Sequence, residues 1–218
     1  MKRAYVLAGA LLGWFALALQ LAIMINVNLN SVDGSVLRAL GRFVAYFTIL
    51  TNILVALNFT VRLVAPATAL GRFLLRPVVE ADILLAIFFV GTIYVLVLQD
   101  LWDPQGGQYL ADLILHYLTP LIYLGYWLLF VPHGGLRWQN ALMWPAYPLA
   151  YLVYALLRGA FSGFYPYHFI DVATLGYGRV LINALVLLGA FVLAGLVLVA
   201  LDRLLGRLTA RGRQPAVS

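Results

Sequence analysis

The chain has 218 residues, 64% of them hydrophobic and 10% charged, with a mean hydropathy of +0.97. A soluble domain is nearer half apolar and a quarter charged, so an ordinary soluble fold is excluded. The absence of cysteine rules out disulfides, thiolate metal sites and a cysteine nucleophile, and the net charge of +6 suits basic cytoplasmic loops beside anionic lipid better than a nucleic-acid partner.

An all-α, polytopic fold follows. Six apolar runs, roughly 4–27, 42–65, 78–99, 110–132, 140–161 and 179–201, approach or exceed the roughly 20 residues that cross a bilayer. They form one expected domain over 1–218, a bundle of six transmembrane helices. The first run follows Lys2 and Arg3, is too long for a signal peptide, and is read as a retained helix. It gives way at Asn28-Leu29-Asn30-Ser31 and Asp33-Gly34. The second run carries Thr48, Thr51 and Asn52 at i, i+3 and i+4, one stripe of a helix. Pro66 and Pro77 separate it from the third, which has Glu80 and Asp82 at its mouth, beside Arg76, and ends at Gln99. Asp103-Pro104 and Gly106-Gly107 precede the fourth, with Asp112, His116 and Pro120. Beyond Pro132 and Gly134-Gly135, the fifth bears Tyr151, Tyr154 and Arg158, and the sixth bears Asn183. Residues 206–218 read as a basic cytoplasmic tail.

Charge sets the orientation. Lys2, Arg3, Arg62, Arg72, Arg76, Arg137, Arg203, Arg207, Arg211 and Arg213 fall on one side, against Arg38, Arg42, Arg158 and Arg179 on the other. The positive-inside rule places both termini in the cytoplasm, N-in and C-in. Asp33, Asp100, Asp103 and Asp171 then lie in outer loops.

Polar groups inside hydrocarbon are costly and usually face a bundle interior. On this topology Thr48 and His116 each lie about six residues inside the outer end of their runs, roughly 9 Å deep at 1.5 Å per residue. His116 is the one histidine deep in a span. A hydroxyl beside a neutral imidazole is the minimum for nucleophilic acyl transfer, the imidazole taking the proton and returning it to the leaving alcohol. Asn52 or a tyrosine hydroxyl such as that of Tyr151 is a candidate to stabilise the oxyanion. Asp112, one turn from His116 on the same face, is a candidate to orient the ring. Structural roles compete with these: a membrane threonine often bonds its own i−4 carbonyl, and an asparagine often bridges helices. No Gly-x-Ser-x-Gly elbow, His-Glu-x-x-His or phosphate-binding glycine loop is present, and no cofactor or metal is expected.

Tyr46-Phe47-Thr48-Ile49-Leu50-Thr51-Asn52 resembles the helix-two Phe-Thr-x-x-Ser/Thr-Asn signature of a known family. His116-Tyr117-x-x-Pro120 running into Trp127-Leu128-Leu129-Phe130 is similar to its helix-four signature, and Pro148-Leu149-Ala150-Tyr151, Arg158-Gly159 and Tyr165-Pro166-Tyr167-x-Phe169-x-Asp171 are similar to its later motifs. The family is that of prokaryotic six-helix membrane proteins related to the androgen-induced-gene and androgen-dependent TFPI-regulating proteins. The resemblance implies an intramembrane hydrolase of fatty acid esters of hydroxy fatty acids, or similar acyl esters, in the bacterial inner membrane. It puts the nucleophilic threonine on Thr48, with Thr51 the rival, and the histidine on His116. Tyr126 stands where many prokaryotic members carry an acidic residue. A membrane lipid ester is the expected partner, its free carboxylate held by Arg42 or Arg158. The alternatives are a non-catalytic binder or proton-coupled transporter of an amphipathic solute, using His116 as the switch, and a structural scaffold.

Overall fold

The computed structural model describes residues 1–32 and 34–211; Asp33, Arg213 and the end of the basic tail lie outside the described residues. Every regular element in them is helical: α1 (Lys2–Leu29), α2 (Val36–Phe43), α3 (Phe47–Val64), α4 (Ala69–Leu74), α5 (Pro77–Ile93), α6 (Gly107–Leu113), α7 (Thr119–Phe130), α8 (Trp138–Met143), α9 (Ala146–Ser162) and α10 (Val172–Arg211). Wide π-helical turns extend α5 through Tyr94–Leu98 and join α6 to α7 through Ile114–Leu118. Among the described residues, five helices are long and apolar enough to cross a membrane: Lys2–Leu29, Phe47–Val64, Pro77–Leu101, Gly107–Phe130 and Val172–Ala210.

Two boundaries differ from the sequence expectation. The run expected over 140–161 is broken at Trp144-Pro145 into α8 and α9, and α9 is 17 residues long. Proline removes a backbone donor and clashes with the preceding turn, which makes this a natural break. The run expected from 42 is broken as well. Its first residues belong to α2, and Tyr46 is extended (φ −85°, ψ 131°), so α3 starts at Phe47. Thr48 therefore sits in the first turn of a helix rather than two turns inside one. Hydropathy is blind to this break, because Val44-Ala45-Tyr46 is as apolar as its flanks.

Small residues bring α1 onto α3. A Cβ on Gly9 would come 2.6 Å from the Phe59 ring, and one on Gly13 would come 3.3 Å from the Ala56 Cβ. Helices in lipid gain their packing from such close approach. Phe59, Tyr123, Tyr126 and Trp127, all buried, fill part of the core between the helices. Glu80, expected beside Arg76, instead pairs with Arg62 at 2.5 Å and accepts a 2.7 Å hydrogen bond from Tyr126. These two contacts offset the cost of burying the carboxylate. Near the end of α10, Asp202 is buried and accepts from the Leu136 N–H at 2.9 Å, anchoring α10 to the α7–α8 connection.

Candidate active site

Pro120 shapes the ground on which the site is built. With no N–H, it cannot bond the carbonyl of His116 four residues earlier, and its ring crowds that carbonyl. The helix widens there into the π turn Ile114–Leu118, which carries His116. Gly91 on α5 makes room for it: a Cβ at that position would lie 2.7 Å from the His116 carbonyl oxygen. One turn later α5 widens too, at Tyr94. Such π turns are rare and occur often at functional sites. Here the two of them press the Tyr94 and His116 rings together, 3.9 Å between centroids and 19° between planes.

The imidazole is oriented from both ends. Its Nδ1 faces two acceptors, the Asp112 carbonyl at 3.2 Å and Asp112 Oδ1 at 3.1 Å. The hydrogen bond is aligned on the carbonyl. The carboxylate acts as a close charge, its Oδ1 receiving no hydrogen bond of its own, while its Oδ2 accepts from the Tyr94 hydroxyl at 2.5 Å. The Nδ1 side offers only acceptors, whereas the Thr48 hydroxyl on the Nε2 side can donate, so the proton of the neutral ring belongs on Nδ1 and the Nε2 lone pair faces Thr48. Nε2 lies 3.4 Å from Thr48 Oγ1. That is looser than a mature hydroxyl–imidazole hydrogen bond.

Thr48 is 7% exposed and occupies the first turn of α3. Its N–H has no intrahelical acceptor and donates instead to the Tyr167 hydroxyl at 3.2 Å, which also lies 3.4 Å from Thr48 Oγ1. Tyr167 belongs to the segment between α9 and α10. Its hydroxyl is enclosed, and burial pushes it up to about 12 against the hydrogen bonds from Thr48, so it stays a protonated donor at neutral pH.

The other expected site residues have different placements. Asn52 spends both amide hydrogens on backbone carbonyls, Thr48 at 2.9 Å and Leu115 at 3.2 Å. It ties α3 to the His116 turn and has no donor left for an oxyanion. Thr51 is fully buried and bonded to the Tyr147 hydroxyl at 3.1 Å, away from His116. Tyr151 donates to the Ala45 carbonyl at 2.9 Å, helping to fix the extended residues before α3. Asn183 donates to the Phe169 carbonyl at 2.9 Å and so holds the Tyr167 segment against α10. Arg42 and Arg158 both stand 5.3 Å from the centroid of the same ring, Phe164. Among the described residues neither has a carboxylate partner. Nor do three His, Asp or Glu side chains gather as metal ligands would.

A cavity of about 560 Å³ reaches this constellation; Thr48, His116, Asp112, Tyr94, Tyr167 and Arg42 are among its lining residues. The lining comes from one end of the bundle: the end of α1, the start of α3, the ends of the Tyr94 and Gln99 turns, the start of α6 and the 164–168 segment. A second, apolar cavity of about 110 Å³ meets it at Thr48, Tyr167 and Leu98. Tyr94 and Tyr167 are the site residues that sequence reasoning missed. The signal for Tyr167 was the Tyr165-Pro166-Tyr167 motif; Tyr94 has none in one sequence.

The chain matches no family model, no curated protein and no solved structure.

Proposed function

We propose that this chain is an intramembrane hydrolase of lipid esters, with Thr48 as nucleophile and His116 as general base. One observation carries the reading: the Thr48 hydroxyl, the free Nε2 of His116 and the carboxylate of Asp112 stand in line, with both neighbours of Nδ1 being acceptors. That is the arrangement which makes a hydroxyl nucleophilic, a base beside it and an acid orienting the base.

In the proposed reaction Nε2 takes the Thr48 proton as Oγ1 bonds to the carbonyl carbon. Negative charge collects on the carbonyl oxygen. It is met by the positive end of α3 and by the Tyr167 hydroxyl, whose oxygen already accepts from the Thr48 N–H and whose proton is free to be given. The carbon–oxygen bond to the alcohol then breaks, and Nε2 returns the proton to the departing oxygen. Water, activated by the same nitrogen, releases the acid and restores Thr48.

The membrane setting belongs to the proposal. We read α9, whose 17 residues reach the short end of the roughly 17–25 that span a bilayer, as a sixth span. Both termini are cytoplasmic by the distribution of Lys and Arg, in a bacterial inner membrane. The cavity then opens toward the outer leaflet. Arg42 and Arg158, around Phe164, supply the cationic rim for the free carboxylate of a fatty acid ester of a hydroxy fatty acid or a similar acyl ester. The resemblance to six-helix intramembrane threonine hydrolases supports the same substrate class. A cavity lined from one end of the bundle, above a plug of Phe59, Tyr123, Tyr126 and Trp127, favours an enzyme over a transporter.

The test is hydrolysis of a palmitoyl ester of hydroxystearate by the purified protein in proteoliposomes. Turnover that disappears in Thr48→Ala and in His116→Ala supports the reading. Turnover that survives Thr48→Ala removes it.

A further inference from the structure

We propose that Thr48 and Tyr167 divide the site into two chambers with separate tasks: the 560 Å³ cavity takes the leaving alcohol and the 110 Å³ cavity takes the acyl arm, selecting one that is unbranched near the carbonyl. This rests on the hydrolase reading above.

The assignment follows from where His116 stands. Thr48 and Tyr167 line both cavities, while His116, Asp112, Tyr94 and Arg42 line only the larger one. Nε2 must first take the proton from Thr48 and then deliver it to the alcohol oxygen as the carbon–oxygen bond breaks. The alcohol oxygen therefore lies within hydrogen-bond reach of Nε2, and the alcohol extends into the chamber that His116 lines. The remaining carbon substituent of the carbonyl is the acyl chain. It points away from His116, into the other cavity that meets Thr48.

That cavity has the character of an acyl site. Phe47, Phe89, Ile93, Leu188 and Phe191 line it, and no charged side chain does. At about 110 Å³ it is smaller than the roughly 150 Å³ apolar cavity that takes a benzene ring. It encloses about four carbons, taking roughly 30 Å³ for each water-sized group. Leu149 also lines it and is 43% exposed on the outer surface. A longer straight chain runs past Leu149 into the lipid, while a quaternary or aromatic carbon beside the carbonyl meets the aromatic walls. Selection thus falls on shape near the ester rather than on length.

The experiment uses the full-length protein in detergent micelles and 4-nitrophenyl esters with acetyl, hexanoyl and pivaloyl acyl groups. Ratios of kcat/KM within one preparation cancel differences in the amount of folded protein. Ala184→Phe, which fills the small chamber, is expected to lower the hexanoyl-to-acetyl ratio about tenfold, and Leu188→Ala to raise the pivaloyl-to-acetyl ratio about tenfold, the scale of one or two methylenes in an apolar pocket. Met24→Phe, in the wall of the large chamber, is expected to leave both ratios alone. Thr48-dependent hydrolysis with ratios that do not respond to Leu188→Ala, or that respond as strongly to Met24→Phe, overturns the partition alone; Leu188→Ala decides if Ala184→Phe does not fold. Hydrolysis that persists in Thr48→Ala overturns the hydrolase reading and the partition with it.

Discussion

The ring of His116 lies flat against the ring of Tyr94, 3.9 Å away and 19° from parallel, and the Tyr94 hydroxyl holds the Asp112 carboxylate beside the same imidazole at 2.5 Å. One tyrosine thus fixes both the plane of the His116 imidazole and the carboxylate beside it. Tyr94→Phe keeps the stack and removes the hydrogen bond. Losing a bond to a charged group, roughly 1.5 kcal/mol, corresponds to about a tenfold fall in kcat. KM should be unchanged, since Tyr94 acts through Asp112 and His116. A rise in KM with kcat intact would place Tyr94 in substrate binding instead.

Asp112→Asn tests the tautomer. The amide can turn an N–H toward Nδ1 where the carboxylate offered only acceptors; where it does so, Nδ1 gives up its bond to the residue-112 carbonyl and the proton moves to Nε2, facing Thr48. Hydrolysis should drop by about 10²–10⁴, the range seen when the acid of a triad is neutralised or a general base is disabled. Protein yield and thermal unfolding in detergent should stay near those of the parent.

Tyr167→Phe removes the proposed oxyanion donor and leaves the ring. The expected loss is about 10²–10³ in kcat, the usual cost of one such donor. If the hydroxyl served only to cap α3, the variant would lose thermal stability while keeping its turnover.

Gly91→Ala sets a methyl against the His116 carbonyl, at 2.7 Å before relaxation. Overpacking of this kind costs about 1–3 kcal/mol, and here it also displaces the turn that carries His116. Both the unfolding temperature and hydrolysis should fall. Gly135→Ala, where an added Cβ meets nothing within 4 Å, is the control and should change neither.

Much of the helical layout was legible in the sequence, because long apolar runs bounded by Pro, Gly and Asp leave few alternatives. The breaks inside apolar runs were not. The chain leaves α2 after Phe43 and enters α3 through the extended Tyr46, all within an apolar stretch, and Trp144-Pro145 divides a run that hydropathy reads as one although Pro145 marks the place. Thr48 and His116 stood out because a hydroxyl and a lone imidazole are conspicuous in apolar helices. Tyr94 and Tyr167 did not, in a chain with 13 tyrosines, since a phenol is at home anywhere between core and interface. Asn52 was legible as a buried amide. That both its hydrogens go to carbonyls depends on the separation of α3 from the His116 turn, a tertiary quantity that no spacing along the chain encodes. The partner of Glu80 was misplaced for the same reason. Arg76 is nearer in sequence, but Arg62 is the residue that α3 delivers to it.

The most direct measurement is the site of covalent capture by a fluorophosphonate, which reacts with an activated hydroxyl and marks it permanently. Peptide mass spectrometry of the labelled protein in native-like membranes should find the adduct on Thr48, with labelling abolished in Thr48→Ala and sharply slowed in His116→Ala. An adduct on Thr51 or any other residue, or equal labelling of Thr48→Ala, would contradict the account.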